Sequence, residues 1–143
     1  MPARVKVRAV IWVDGGVVVH RERRRGVRYV TLPGGRVGER ESAIDALRRE
    51  VLEEVGLEIE IGDLLCAAEV VSGARHQDVE LLFEAWPRGA LDQGRLDLVD
   101  PADADAEDLL PPVLAELARR RDPAGVDGPR WLGNVYRARG AST

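Results

Sequence analysis

The stretch from Leu32 to Leu57 constrains this chain more than any other. Leu32-Pro33-Gly34-Gly35 is a turn signal, because Pro fixes its own dihedral and Gly tolerates conformations closed to other residues. A helix-period segment follows, predicted over roughly Ser42 to Val55 and closed by Gly56, where a helix end favours a left-handed residue. Ile44, Leu47, Val51 and Val55 recur at three- and four-residue spacing and so share a buried face. Glu50, Glu53 and Glu54 fall on the adjoining face.

That face is unfavourable for a free-standing helix. Glu50–Glu53 and Glu50–Glu54 are like-charge pairs at the spacings where side chains meet. At about 6 Å and an effective dielectric near 20, each pair repels by roughly 2–3 kcal/mol unless water relaxes it. The trio also occupies the last two turns, where the helix dipole favours cations. One turn earlier, Asp45 and Arg49 make a favourable pair. A divalent cation such as Mg²⁺ or Mn²⁺ would remove both penalties, since clustered carboxylate oxygens suit it. The plain alternative is a solvated acidic face.

The residues around the trio decide against that alternative. Gly35, five residues, Glu41, seven residues, Arg49-Glu50, an aliphatic, any residue, Glu53-Glu54, any residue, Gly56 and an aliphatic follow one another in order. This resembles the Nudix box at every fixed position, over the 23 residues Gly35 to Leu57.

The resemblance implies a mixed α/β fold: an α/β/α sandwich with a central mixed sheet and the box as loop–helix–loop. It implies a hydrolase that cleaves a nucleoside diphosphate linked to another moiety, with Mg²⁺ or Mn²⁺ as cofactor. It assigns Glu50, Glu53 and Glu54 to the metal, with the backbone carbonyl of Gly34 able to join them. Arg49 would orient the carboxylates, Glu41 would tie the loop to the helix or reach the metal through water, and Glu50 or Glu53 would act as general base. Many relatives place a further acid beyond the box. Here that region reads Gly94-Arg95-Leu96-Asp97, leaving Asp92, Asp97 or Glu80 as substitutes. Each of these also reads as an ordinary surface acid.

Elsewhere the chain reads as a single domain over its 143 residues. Val5, Val7, Ala9, Ile11 and Val13 alternate with Lys6, Arg8, Val10 and Trp12, a strand pattern. Asp14-Gly15-Gly16 turns it into a hairpin with Val17-Val18-Val19. His20 to Gly26 is expected as a charged loop before a strand from Val27 to Leu32. Its arginines, with Arg21, Arg23 and Arg28 as the candidates, read either as solvated or as phosphate contacts at a cleft mouth. After the helix, Glu58 to Ile61 alternates, and Leu64–Val71 and Asp78–Trp86 read as adjacent strands joined by a loose loop, Ser72 to Gln77. Leu96–Val99 gives another short strand. A second helix is expected beyond Asp100-Pro101, capped by Asp103 or Asp105, interrupted at Pro111-Pro112, and ending at Arg119-Arg120-Arg121. Asp122 to Pro129 reads as a linker, Arg130 to Arg137 as a short ordered segment, and Gly140 to Thr143 as frayed.

Composition narrows the partners. With 45% hydrophobic and 32% charged residues the chain is of ordinary globular type. Its net charge of −4 gives no reason to expect nucleic acid. No apolar run suggests a membrane span and no start suggests a signal peptide, so a cytoplasmic location is expected. The one cysteine, Cys66, excludes an internal disulfide and reads as core filler. The expected partner is a small-molecule nucleotide or nucleoside diphosphate; a homodimer stays open. Substrate cues are negative: Gly73 stands about 16 residues after the box, where some relatives carry Pro or Tyr. Trp12, Trp86, Trp131 and Tyr136 read as base-stacking or packing residues, and His76 as a surface histidine. Against the hydrolase stand a catalytically silent nucleotide-sensing module on the same fold and an isomerase acting on an allylic diphosphate.

Overall fold

Alternation along the first strand sorts the molecule into two sides. In the computed structural model, which describes residues 2–103, 108–121 and 128–136, strand β1 (Arg4–Val10) buries Val7 and Ala9 on one face and Arg8 and Val10 on the other. The first face, with Ile11, Val13 and Val18, packs against Ala46, Leu47 and Val51 of helix α1 (Ala43–Val55). The second, with Val17, Val19, Leu32, Cys66, Leu82 and Leu109, packs against Leu117 of helix α2 (Leu114–Arg120) and the preceding Val113. Strands therefore lie between two helices, and a run such as Val17-Val18-Val19 is apolar throughout because both its faces are covered.

The described strands form two mixed five-stranded sheets. In the first, β7 (His76–Pro87) runs parallel to β1, and β5 (Gly34–Arg36) runs antiparallel to it on the other side. The long strand β6 (Ile59–Ser72) pairs antiparallel with β7 and parallel with β10 (Arg130–Asn134). In the second sheet, β3 (Gly16–Arg24) pairs antiparallel with β2 (Trp12–Val13), β4 (Val27–Thr31) and β8 (Asp97–Val99). The short β9 (Leu109–Leu110) runs parallel to β4. Among the described residues no helix is long and apolar enough to cross a membrane.

Several local expectations change. The segment His20–Gly26 is no loop: β3 continues to Arg24, and Arg25-Gly26, at φ 50° and 76°, make the turn into β4. The hairpin outruns the core, so its residues are charged while the ladder persists. Gly62-Asp63 is absorbed into β6 as a register irregularity. The following loop is tighter than expected, with Ser72 opposite His76 and only Gly73-Ala74-Arg75 between them. The second helix starts after Pro111-Pro112, while Leu109-Leu110 before them pair as a strand. Its N-cap is Val113, without a side-chain hydrogen bond, so Asp103 does not cap it. Asp105, most of the Asp122–Pro129 linker, Arg137 and Gly140–Thr143 lie outside the described residues.

Candidate active site

Helix α1 begins where the sequence places it. Ser42 is the N-cap, its hydroxyl accepting the Asp45 N–H at 3.1 Å, and Gly56 ends the helix in the left-handed region at φ 69°. The last turn carries no basic side chain. Leu47 and Val51 are fully buried, with Ile44 and Val55 partly so. That seating turns Glu50 and Glu54 toward β5 and leaves Glu53 outside, its side chain 58% exposed.

Two glycines make the seat for these acids. Gly35 lies against the end of Glu50: a Cβ there would stand 2.7 Å from the Glu50 Cδ and within 2.9 Å of both its oxygens. Gly34 adopts φ 145°, and any side chain on it would run into the backbone of Val7 and Arg8 on β1. Its N–H donates to Glu54 Oε2 at 3.4 Å. Burial raises the Glu54 carboxyl, and a hydrogen bond with Glu50 raises it further; the Gly34 N–H and the Arg8 charge oppose this, leaving it at about 7. Burial and the neighbouring Glu50 carboxylate together let Glu54 hold a proton that it would not keep in water.

Arg49 organises the outer side. Its Nε and Nη2 donate to the two oxygens of Glu41 at 2.9 Å each, a bidentate fork, and its Nη1 donates to Glu50 at 3.0 Å. The same Nη1 lies 3.5 Å from Glu53, and Nη2 donates to the Arg36 carbonyl at 3.4 Å. Glu41 also accepts the Gly38 N–H at 3.0 Å, so its carboxylate bridges the loop and Arg49 of the helix. Arg49 first and then the Gly38 N–H hold the Glu41 carboxyl down at about 2, and Glu41 raises Arg49 in turn. The Asp45–Arg49 pair expected from spacing does not form, since Asp45 faces Arg48 at 3.9 Å instead.

The described residues contain no ready-made group of three cation-ligating side chains. Arg49 draws on Glu50 and Glu53, while Glu54 turns inward to Gly34. The donor set nevertheless suits a hard divalent cation. Glu50 and Glu54 meet over Gly34 and Gly35, Glu53 lies 3.5 Å from the Arg49 Nη1 that also serves Glu50, and all offered atoms are oxygens.

The remaining candidates lie apart from the box. Arg21, Arg23 and Arg28 are exposed on the β3–β4 hairpin: Arg21 faces Asp97 at 3.7 Å, and Arg23 stands opposite Arg28. Asp92 is exposed and paired with Arg95 at 3.3 Å. Glu80 is not a surface acid: it is 3% exposed and accepts Nε of Arg8 at 2.7 Å. His76 is engaged, with Nε2 2.8 Å from the buried Asp78 and Nδ1 3.1 Å from Arg4. Trp12 packs on the α2-side core with Arg121 over its ring, whereas Trp86, Trp131 and Tyr136 are exposed. Cys66 is buried in the core, and desolvation pushes its thiol up to about 11.

Sequence reasoning passed over Arg8. Its signal was present: Arg4, Lys6 and Arg8 recur with period two beside Asp78 and Glu80 at the same period on β7, with Arg4 opposite Asp78, Lys6 opposite Glu80, and Arg8, itself opposite Leu82, reaching Glu80 diagonally. Matched opposite charges on paired strands point to one another across a buried face.

A family model described as NUDIX domain matches residues 2–126. No curated protein gives a significant match to the chain. Among solved structures, a NUDIX hydrolase from Nitrosomonas europaea superposes with a TM-score of 0.70 at 24% identity, covering 90% of this chain and 93% of that one. A MutT NUDIX hydrolase from Burkholderia pseudomallei gives 0.58 at 28% identity, covering 71% and 77%. An ADP-ribose pyrophosphatase from Streptococcus suis gives 0.61 at 17% identity, covering 91% and 99%.

Proposed function

The chain belongs to the NUDIX domain family and is an enzyme of its hydrolase class; on that premise we propose that it cleaves a phosphoanhydride bond in a nucleoside diphosphate linked to another moiety, using Mg²⁺ or Mn²⁺. The observation that carries this reading is the meeting of Glu50 and Glu54 over Gly34 and Gly35. Acids pressed together there have their natural partner in a divalent cation, held by Glu50, Glu53, Glu54 and the Gly34 carbonyl. Such a cation neutralises phosphate oxygens and lowers the pKa of a bound water.

The chain's own residues supply the rest. Arg49 holds Glu50 and Glu53 in register with the loop through its fork on Glu41. Glu50 and Glu53 are the candidates to take the proton from the attacking water. Arg21, Arg23 and Arg28 are the candidate contacts for phosphate at the far side of the substrate. The substrate class spans nucleotide sugars, ADP-ribose-like compounds and nucleoside triphosphates. Likeness to an ADP-ribose pyrophosphatase at 17% identity keeps the second within the class without selecting it. A cytoplasmic location and a homodimer belong to the same reading.

The test is a panel of these compounds incubated with Mg²⁺, read for mononucleotide products. Turnover by the wild type, abolished in Glu53→Gln and Glu54→Gln, supports the reading. No turnover on any diphosphate with metal normally bound would favour a silent nucleotide-binding module. An allylic diphosphate added to the panel and recovered with its diphosphate intact and its double bond shifted would favour an isomerase.

A further inference from the structure

The Gly34 peptide is held from both sides. Its N–H donates to Glu54 on α1, and its carbonyl accepts Nη1 of Arg8 on β1 at 3.3 Å. The same Nη1 donates to the Leu32 carbonyl at 3.1 Å, on the far side of Pro33. Nε of Arg8 is taken by Glu80 of β7 at 2.7 Å. Arg8 and Glu80 are 7% and 3% exposed, so neither is available to bulk water.

A buried ion pair is a poor device for stability alone, because well-packed apolar side chains of similar volume generally do as well or better. What the pair supplies here is geometry. The guanidinium has donors fixed in one plane, so anchoring Nε on Glu80 fixes where Nη1 points. Nη1 then points at two carbonyls flanking the proline that leads into the box. A carbonyl oxygen has two lone pairs, so the bond from Arg8 leaves one directed elsewhere. Gly34 cannot carry a side chain in this position, which lets its backbone sit flush on β1 within Arg8's reach.

We propose that Arg8, anchored by Glu80, is a positioning residue that sets the direction of the Gly34 carbonyl and thereby the cation site that carbonyl shares with Glu50 and Glu54. The inference rests on the hydrolase reading above. It also gives Glu80 a defined role as the anchor of Arg8 and not as a base or metal ligand.

The test is Mn²⁺ binding to the substrate-free protein, followed by the paramagnetic signal of free Mn²⁺, alongside urea stability and the kcat and KM of the best panel substrate. The double variant Arg8→Met/Glu80→Leu replaces the pair by apolar side chains and is expected to fold. It should bind Mn²⁺ roughly 10- to 100-fold more weakly, with kcat reduced at limiting Mn²⁺, partly restored at high Mn²⁺, and KM little changed. Arg8→Lys, which lacks the fork, should fall between it and the wild type. A folded double variant with wild-type Mn²⁺ affinity would overturn the inference. Should the double variant not fold, Glu80→Gln decides: a loss of at most a few-fold, with the pH–rate profile unmoved, supports an anchor. Loss of the acidic limb of that profile would make Glu80 a base and overturn the proposal. A wild-type protein binding no Mn²⁺ would instead overturn the hydrolase reading, and this inference with it.

Discussion

The Glu50 carboxylate lies so close over Gly35 that a Cβ on that glycine would stand 2.7 Å from the Glu50 Cδ. One of the two must then move, and the flexible partner is Glu50. Gly35 is not among the residues at positive φ, so Gly35→Ala displaces the carboxylate without straining the backbone. This variant should lose roughly 10- to 100-fold in Mn²⁺ affinity and turnover, with stability within about 0.5 kcal/mol of wild type. Gly34→Ala is the contrast, because its φ of 145° and the adjacent Val7 backbone leave no room. It should lose on the order of 1–3 kcal/mol or more of stability. Urea denaturation and Mn²⁺ titration of both variants check the pair; equal destabilisation would contradict the geometry.

Glu54 makes stability depend on pH and metal in opposite senses. Its carboxyl is raised from 4.5 to about 7 in the cation-free fold, so the folded chain binds that proton more tightly than the unfolded chain. The resulting stabilisation is full below pH 4.5 and is lost as pH rises through about 7. Allowing for water at this half-buried site, it amounts to on the order of 1–2 kcal/mol. Urea denaturation in a chelator should show this fall in the wild type and not in Glu54→Gln. Saturating Mg²⁺ takes the ionised form, so its stabilising effect should grow over the same pH range.

Glu41 behaves differently although it is also a box acid. Arg49 and the Gly38 N–H hold its carboxyl at about 2, so it stays ionised throughout any ordinary assay. Glu41→Gln should therefore lower kcat without moving either limb of the pH–rate profile. Arg49→Lys, which loses the two-pronged contact, should do the same. The Arg49 and Glu41 side chains are 39% and 22% exposed, so the ion pair is partly screened and the urea midpoint should change little in either variant. A pH limb that disappears with Glu41 would contradict its assignment as a tie between loop and helix.

Leu47 and Leu52 test how α1 is seated. Leu47 is fully buried and Leu52 is 50% exposed. Leu47→Ala should lose about 2–5 kcal/mol, and Leu52→Ala should stay within about 0.5 kcal/mol of wild type. Chemical denaturation of the two proteins is sufficient, and the reverse order would mean the helix is rotated.

Where local pattern and tertiary placement agree, the fold can be read directly from residues. Ser42 and Gly56 bound α1 because capping is a local interaction, and Leu47 and Val51 are buried because helical period is local too. Trp12 to Val17 forms its hairpin through Asp14-Gly15 for the same reason. What escaped depends on partners distant in sequence. Leu109-Leu110 is a strand only because β4 runs beside it, 79 residues earlier at Val30↔Leu109. Arg21–Arg24 belongs to a strand although nothing in it is apolar, because its ladder is inherited from the valines before it. Asp45 turned to Arg48 because Arg49 had a better partner in Glu41, which sits outside the helix. At the site, the acids and Arg49 stand at short spacings along one loop and helix, whereas Arg8 and Glu80 meet only diagonally across the parallel strands β1 and β7, 72 residues apart.

The proposed hydrolysis requires a divalent cation on Glu50 and Glu54, over Gly34 and Gly35. The most direct measurement is anomalous diffraction from crystals grown with Mn²⁺. A peak is expected at coordination distance from the Glu50 and Glu54 carboxylates and the Gly34 carbonyl, and none in crystals of Glu54→Gln grown the same way. Saturating Mn²⁺ that leaves these oxygens without an ion, with Glu50 still on Arg49 and Glu54 still on Gly34, would contradict it.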